Sequence, residues 1–370
     1  MALGWVDHRA DPAAWAASLG VSAEAVALVL DGDFLDLHVD MEVPIRLYGY
    51  DPSVRRDPTA TPPRFFGHTD YPRIREAGLT GVVYDIATNP FRPERNRQVT
   101  TLANLDAAER RIGAHPEDLA LCRSHADYMA ARASGKTAMF LSLQGGNALA
   151  ADPSVLEGEV GARLHRITLV HLTRSVLGGT SSPIFADPGL TDRGRDFVER
   201  CTAARVIVDL AHAGKKTFAD VLAVHTRDVP PIVSHTGVEG VRPHWRNLDD
   251  GQLRQIADRG GVIGIMYQSP FLAPVWAAGF APRSAVVDHL AHVIDVVGED
   301  FVAIGTDYDG MIIPPHDLGD VTDHPRLVQD MLDRGWGGDR IRKILGLNYL
   351  RVVRDVRPGG PVRAAPALPG

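Results

Sequence analysis

The chain has 370 residues, 45% of them hydrophobic and 23% charged, with a net charge of −7. That length and apolar content suit one large α/β domain over residues 1–370, with no composition break to mark a second. A mildly acidic, mixed-sign chain without a basic, aromatic-interleaved stripe excludes nucleic acid as an expected partner, and no apolar run approaches a membrane span.

The first residues, Met1 to Arg9, lack a charged-then-apolar leader. Apolar, β-branched runs then predict strands at 34–38, 81–84, 138–143, 166–170, 205–210, 231–234, 261–266 and 301–305. Helical spacing predicts helices at 105–133, 192–204, 249–259 and 285–297 between them. Near-continuous Val, Ile and Leu in the strands fits parallel strands covered on both faces. Eight alternating units predict a (β/α)8 TIM barrel with its chemistry at the carboxyl ends of the strands. The only cysteines, Cys122 and Cys201, are far apart and lack metal-type spacing, which predicts a reducing, cytoplasmic setting. From about Arg357 the Pro/Gly-rich end reads as a loose tail.

What closes each strand is informative. His38 and Asp40 close the first, and alternation projects both to the same side. Gln144 ends the third, in Ser-Leu-Gln-Gly-Gly-Asn147, and His171 follows the fourth. The fifth ends in Asp209-Leu-Ala-His212, the sixth in Ser234-His235, and the eighth in Gly305-Thr-Asp307-Tyr-Asp309. Four histidines at four strand ends of one barrel are not independent accidents. Imidazole with carboxylate suits zinc and its neighbours. His68, His244, His316 and His324 read as solvated or structural, while Trp245, Tyr267 and Trp276 are aromatics suited to lining a pocket.

Further segments are His68-Thr-Asp-Tyr-Pro-Arg, Leu190-Thr-Asp-Arg-Gly-Arg, Arg242-Pro-His-Trp-Arg246-Asn and Ile344-Leu-Gly-Leu-Asn348-Tyr-Leu-Arg351. Taken in order with the strand ends, they resemble the membrane (renal) dipeptidase family of metallopeptidases in the amidohydrolase superfamily, over nearly the whole chain. The resemblance implies His38, Asp40 and Asp307 as ligands of a first metal and His212 and His235 as ligands of a second. It implies Asp307 and His171 as catalytic groups, Asp307 exchanging protons with a bridging water and His171 contacting substrate. Arg246 matches an arginine that holds the dipeptide carboxylate, and Asn147 and Tyr267 are placed on the substrate side.

Two departures stand out. Where the family has Glu-Gly-Gly-His, this chain has Gln144-Gly-Gly-Asn147, and that Glu is the carboxylate bridging both metals. A neutral amide offsets the repulsion of two dications poorly, so the site is expected to hold one or two Zn2+ ions with the second weakened. Asp209 and Asp309 are the carboxylates near enough in sequence to compensate. Three readings remain open: a metal-dependent hydrolase of a dipeptide or small amide, a divergent enzyme acting on a small carboxylate metabolite, and a catalytically silent ligand-binding relative. The expected partners are a small-molecule or dipeptide substrate and, as an assembly, a homodimer.

Overall fold

A computed structural model describes residues 2–56, 65–89, 92–274 and 280–359. Trp276 and the tail beyond residue 359 lie outside the described residues. The strands among them are β1 (Leu35–Val39), β2 (Gly81–Ala87), β3 (Leu119–Leu121), β4 (Thr137–Gln144), β5 (Arg166–Thr168), β6 (Ile207–Asp209), β7 (Val233–Thr236), β8 (Ile263–Ile265) and β9 (Val302–Ile304). All pair in parallel, in one six-stranded sheet of order β1-β2-β4-β5-β6 with β3 beside β4, and one three-stranded sheet of order β7-β8-β9. Single parallel bridges, Asp209 to Ile232 and Val39 to Tyr308, join the ends of the two sheets.

Eight of these strands fall on the predicted runs, and the continuous ladders stop short of a full ring. The run predicted at 205–210 starts late, because Arg205 adopts a left-handed φ of 54° that no strand accommodates. The helix predicted at 105–133 is corrected more deeply. One helix spans Glu94–Gly113 and another His125–Ala133, with β3 between them. Pro116 cannot donate into a helix, and Asp118 behind it accepts from the Leu3 amide and the Trp5 indole. The chain is thus turned back onto β4.

Alternation on the paired strands sorts the side chains. Asp85 pairs with Ser142 and Ala87 with Gln144, so Asp85, Ser142 and Gln144 share one face. Val82, Tyr84, Ile86, Met139, Leu141 and Leu143 occupy the other and join the main apolar core. The predicted helices at 192–204, 249–259 and 285–297 are present as Asp192–Ala203, Asp250–Ala257 and Ser284–Val297. The helix Asn348–Val356 ties the strand starts together, as Asn348 donates to the carbonyls of Glu299 and Val302 and Arg351 reaches Gly260 and Gly261. Arg357, at the start of the predicted tail, is buried and donates to Gly161, Ala162, Ala204 and Arg205. No described helix is long and apolar enough to cross a membrane.

Candidate metal centre and active site

The strand ends bring six of the named residues into one buried cluster. His38 Nε2 lies 3.2 Å from Asp40 Oδ2 and 3.7 Å from Asp307 Oδ1. His212 Nε2 and His235 Nε2 are 2.9 Å apart, and the Gln144 side-chain nitrogen sits 3.3 Å and 3.4 Å from them. The His38 and His235 rings stack at 3.9 Å, joining the two groups. Ligand atoms around one tetrahedral zinc are about 3.3 Å apart, given bonds of ~2.0–2.1 Å. The spacings match.

Local backbone explains how the residues reach one point. His212, Asp307 and Asp309 all have left-handed φ, at 67°, 62° and 65°, in turns that leave the strands. Such conformations cost roughly 1–3 kcal/mol for residues with a Cβ and persist where surrounding contacts demand them. Gly145 has φ 101°, which lets the chain turn directly after Gln144. At Gly310 the backbone passes so close that an added Cβ would meet Asp307 Oδ1 at 2.3 Å and Asp40 Oδ2 at 2.8 Å.

The donor set fits a metal. Asp40 Oδ1 is buried with no hydrogen-bond partner, and His38, His235 and Asp307 bring ligand atoms within 4.8 Å of one another. Burial, reinforced by Arg246, pushes His212 well below the ordinary histidine range; burial together with His38 and Arg246 does the same to His235. Both are therefore neutral with lone pairs available, as metal binding requires. Ser234 Oγ lies 2.6 Å from Asp209 Oδ2 and 2.8 Å from His235 Nδ1. With the hydroxyl donating to Asp209, His235 carries its proton on Nδ1 and keeps Nε2 for a ligand. Burial pushes Asp307 well above the ordinary carboxylate range, with His38 and Arg246 opposing and Asp40 and Asp85 adding to the rise.

The remaining named residues sit as follows. His171 packs edge-on against His212 at 4.7 Å, has its Nδ1 unpartnered, and is lowered to about 4 by burial. Arg246 is 3% exposed; one Nη donates to the His235 carbonyl at 2.9 Å, and Nε has no partner. Asn147 is buried next to Gly145 with its Oδ1 unpartnered. Tyr267 is fully buried, and its ring contacts among the described residues are Tyr308 and His324. Neither compensating carboxylate is free. Asp209 accepts from Arg166, Thr168, Ala211 and Ser234, and Asp309 accepts from the backbone of Gly67, His68 and Thr69.

Sequence reasoning missed the polar floor beneath the cluster. Arg166 is fully buried and donates to Asp85 at 2.9 Å, Ser142 at 2.8 Å and Asp209 at 3.1 Å, with His38 Nδ1 also 2.8 Å away. Asp85 forms a second candidate ligand group with His38 and Asp40. The available signal was a carboxylate in the middle of an apolar run, Val82-Val-Tyr-Asp85-Ile, which a buried strand does not carry without a partner.

Comparison with known proteins identifies the family. The sequence profile of the membrane dipeptidase family (peptidase family M19) matches residues 23–359. The chain is 30% identical over 318 residues to the dipeptidase ataJ of Aspergillus terreus, covering 78% of this chain and 77% of that protein. Its fold is similar to a metallopeptidase of Rhodobacter sphaeroides liganded with a phosphinate mimic of the dipeptide L-Ala-D-Ala, with a TM-score of 0.74, 25% identity, and coverage of 88% of this chain and 99% of that one. It is also similar to the metallopeptidase dipeptidase AC, with a TM-score of 0.76, 26% identity, and the same coverage of 88% and 99%.

Proposed function

The chain belongs to the membrane dipeptidase family of metallo-hydrolases, and from that premise we propose that it hydrolyses a dipeptide or small amino-acid-derived amide at a weakened metal site. The observation that carries this is the convergence of His38, Asp40, His212, His235 and Asp307 around Gln144, with Arg246 beside them. His38, Asp40 and Asp307 would hold the stronger ion, and His212 and His235 the weaker. A bound divalent ion of the zinc type would lower the pKa of a water and polarise the scissile carbonyl. Arg246 orients the substrate through its carboxylate, His171 contacts the reacting centre, and Asp307 takes up or returns a proton at its carboxylate. Gln144 adds no charge. We also read the two ladders as one closed (β/α)8 ring with β3 outside it; the bridges from Asp209 to Ile232 and Val39 to Tyr308 support that reading.

Metal content tests the proposal. After dialysis, elemental analysis is expected to find about one ion or fewer per chain, and Gln144→Glu is expected to raise occupancy toward two. Dipeptide hydrolysis should rise by orders of magnitude with it, because water activation at neutral pH rests on metal charge. Two retained ions in the unmodified chain would overturn the weakened site. A second reading, another reaction on a small carboxylate metabolite or silent binding, is favoured by Asn147 changing alongside Gln144. It predicts that Gln144→Glu gains metal without gaining hydrolysis.

A further inference from the structure

Beside the cluster lies a cavity of about 350 Å³, lined at one end by His212 and Arg246. Leu210 and Leu248, both buried, give it an apolar floor, while the partly exposed rings of Phe185 and Trp245 lie toward solvent. Trp245 is braced by His244 and Phe271, with ring centroids 5.0 Å and 5.9 Å away, so it is a positioned wall and not a free surface ring. Apart from Arg246, the charges in the lining are already paired. Lys215 Nζ is bound to Glu239 at 3.1 Å and Asp249 at 2.9 Å, and Asp187 is held by Thr217 and the Lys216 amide. Two donors are not satisfied: Arg246 Nε and Ser181 Oγ are buried without partners.

This arrangement sorts a ligand by parts. A carboxylate is drawn to Arg246 Nε and Ser181 Oγ, the unpartnered donors of the lining, the Ser181 amide being bonded to the His212 carbonyl at 2.7 Å. What projects outward from it meets the apolar side chains and the two aromatic rings, and the cation nearest them, Arg174, lies over the Phe185 ring at 5.8 Å, where it adds a cation–π contact to that wall. Rings favour other rings at centroid separations of roughly 4.5–7 Å, and the volume falls within the range of small-molecule sites. We propose that this cavity is a specificity pocket for an aromatic side chain on the carboxyl-terminal residue of the substrate, with Phe185 and Trp245 as its selecting residues and Ser181 as a second carboxylate donor. The inference rests on the assignment of Arg246 as carboxylate anchor made above.

The test uses binding, which does not require turnover. Calorimetry on the full chain would compare two uncleavable dipeptide mimics, with CH2–NH in place of the amide and either Phe or Ala at the carboxyl-terminal position. The Phe mimic is expected to bind about tenfold tighter or better, the worth of one good aromatic contact. Trp245→Ala and Phe185→Ala should each weaken the Phe mimic severalfold more than the Ala mimic and so erode the preference, and Ser181→Ala should weaken both mimics alike. Equal affinities in the unmodified chain, a preference that survives both ring deletions, or no binding of either mimic would overturn the pocket. Hydrolysis of Gly-Ala, measured separately, keeps the two proposals apart. No hydrolysis with the aromatic preference intact removes the dipeptidase reading alone, and hydrolysis without the preference removes the pocket alone.

Discussion

Arg246 uses its planar fork in two directions. One Nη is committed to the His235 carbonyl, which fixes the guanidinium beside a metal-ligand candidate and leaves the rest of the fork facing the cavity. A lysine cannot do both, because an ammonium offers a point charge and no bidentate face. Arg246→Lys is therefore expected to weaken a carboxylate-bearing dipeptide mimic by about tenfold or more in calorimetry. Unchanged affinity would remove Arg246 as the anchor. Ser234 makes a different kind of prediction. It relays Asp209 to His235 Nδ1, so Ser234→Ala should free that ring and lower metal affinity by about 10–100-fold in a competition titration against a chelator. An unaltered affinity would show that the ring is held by packing alone.

At the level of elements, the helix Ser284–Val297 is pinned by a histidine that must stay neutral. His289 accepts the Val238 amide at Nδ1 and donates from Nε2 to the Leu272 carbonyl, and burial pushes it down to about 4. Protonating Nδ1 would set two donors face to face. A histidine depressed from ~6.5 in the unfolded chain stabilises the fold above that pH, and loses its contribution as pH falls toward 4. The loss is on the order of 3 kcal/mol, so the melting temperature should drop between pH 7 and pH 5, and His289→Gln should make that drop shallower, the other buried histidines supplying the rest. A pH profile unchanged by His289→Gln would contradict the assignment. The same scale shows where local pattern misleads. Residues 105–133 have helical spacing throughout, yet one helix stops at Gly113, Pro116 bars its continuation and Asp118 anchors the amino-terminal segment, so a strand intervenes.

The whole molecule is organised around Arg166. From β5 it reaches Asp85 of β2, Ser142 of β4, Asp209 of β6 and His38 of β1, so one guanidinium ties five strands beneath the site. Burial alone disfavours its charge, and Asp209 and Asp85 more than restore it. Removing it leaves two buried carboxylates without their cation. Arg166→Met is expected to cost about 3–5 kcal/mol in urea unfolding, whereas the exposed pair of Arg354 and Asp355 should tolerate Arg354→Ala without measurable change. Equal effects of the two substitutions would show that Arg166 is no hub.

By itself the sequence determined the strand runs, the parallel α/β arrangement and the strand-end set of His38, Asp40, Gln144, His171, His212, His235 and Asp307. Each of these is a local signal, since period, run length and the residue closing a run are read within a few positions. Only the tertiary structure decided that Asp85, Arg166, Asp209 and Ser234 neutralise and orient one another, and that residues 181–187 meet Trp245 across a cavity. Those partners lie far apart along the chain, and their charges are stable in the interior only because other strands supply the opposite charge or the donor. A buried carboxylate looks misplaced in sequence until the strand that pairs with it is in view.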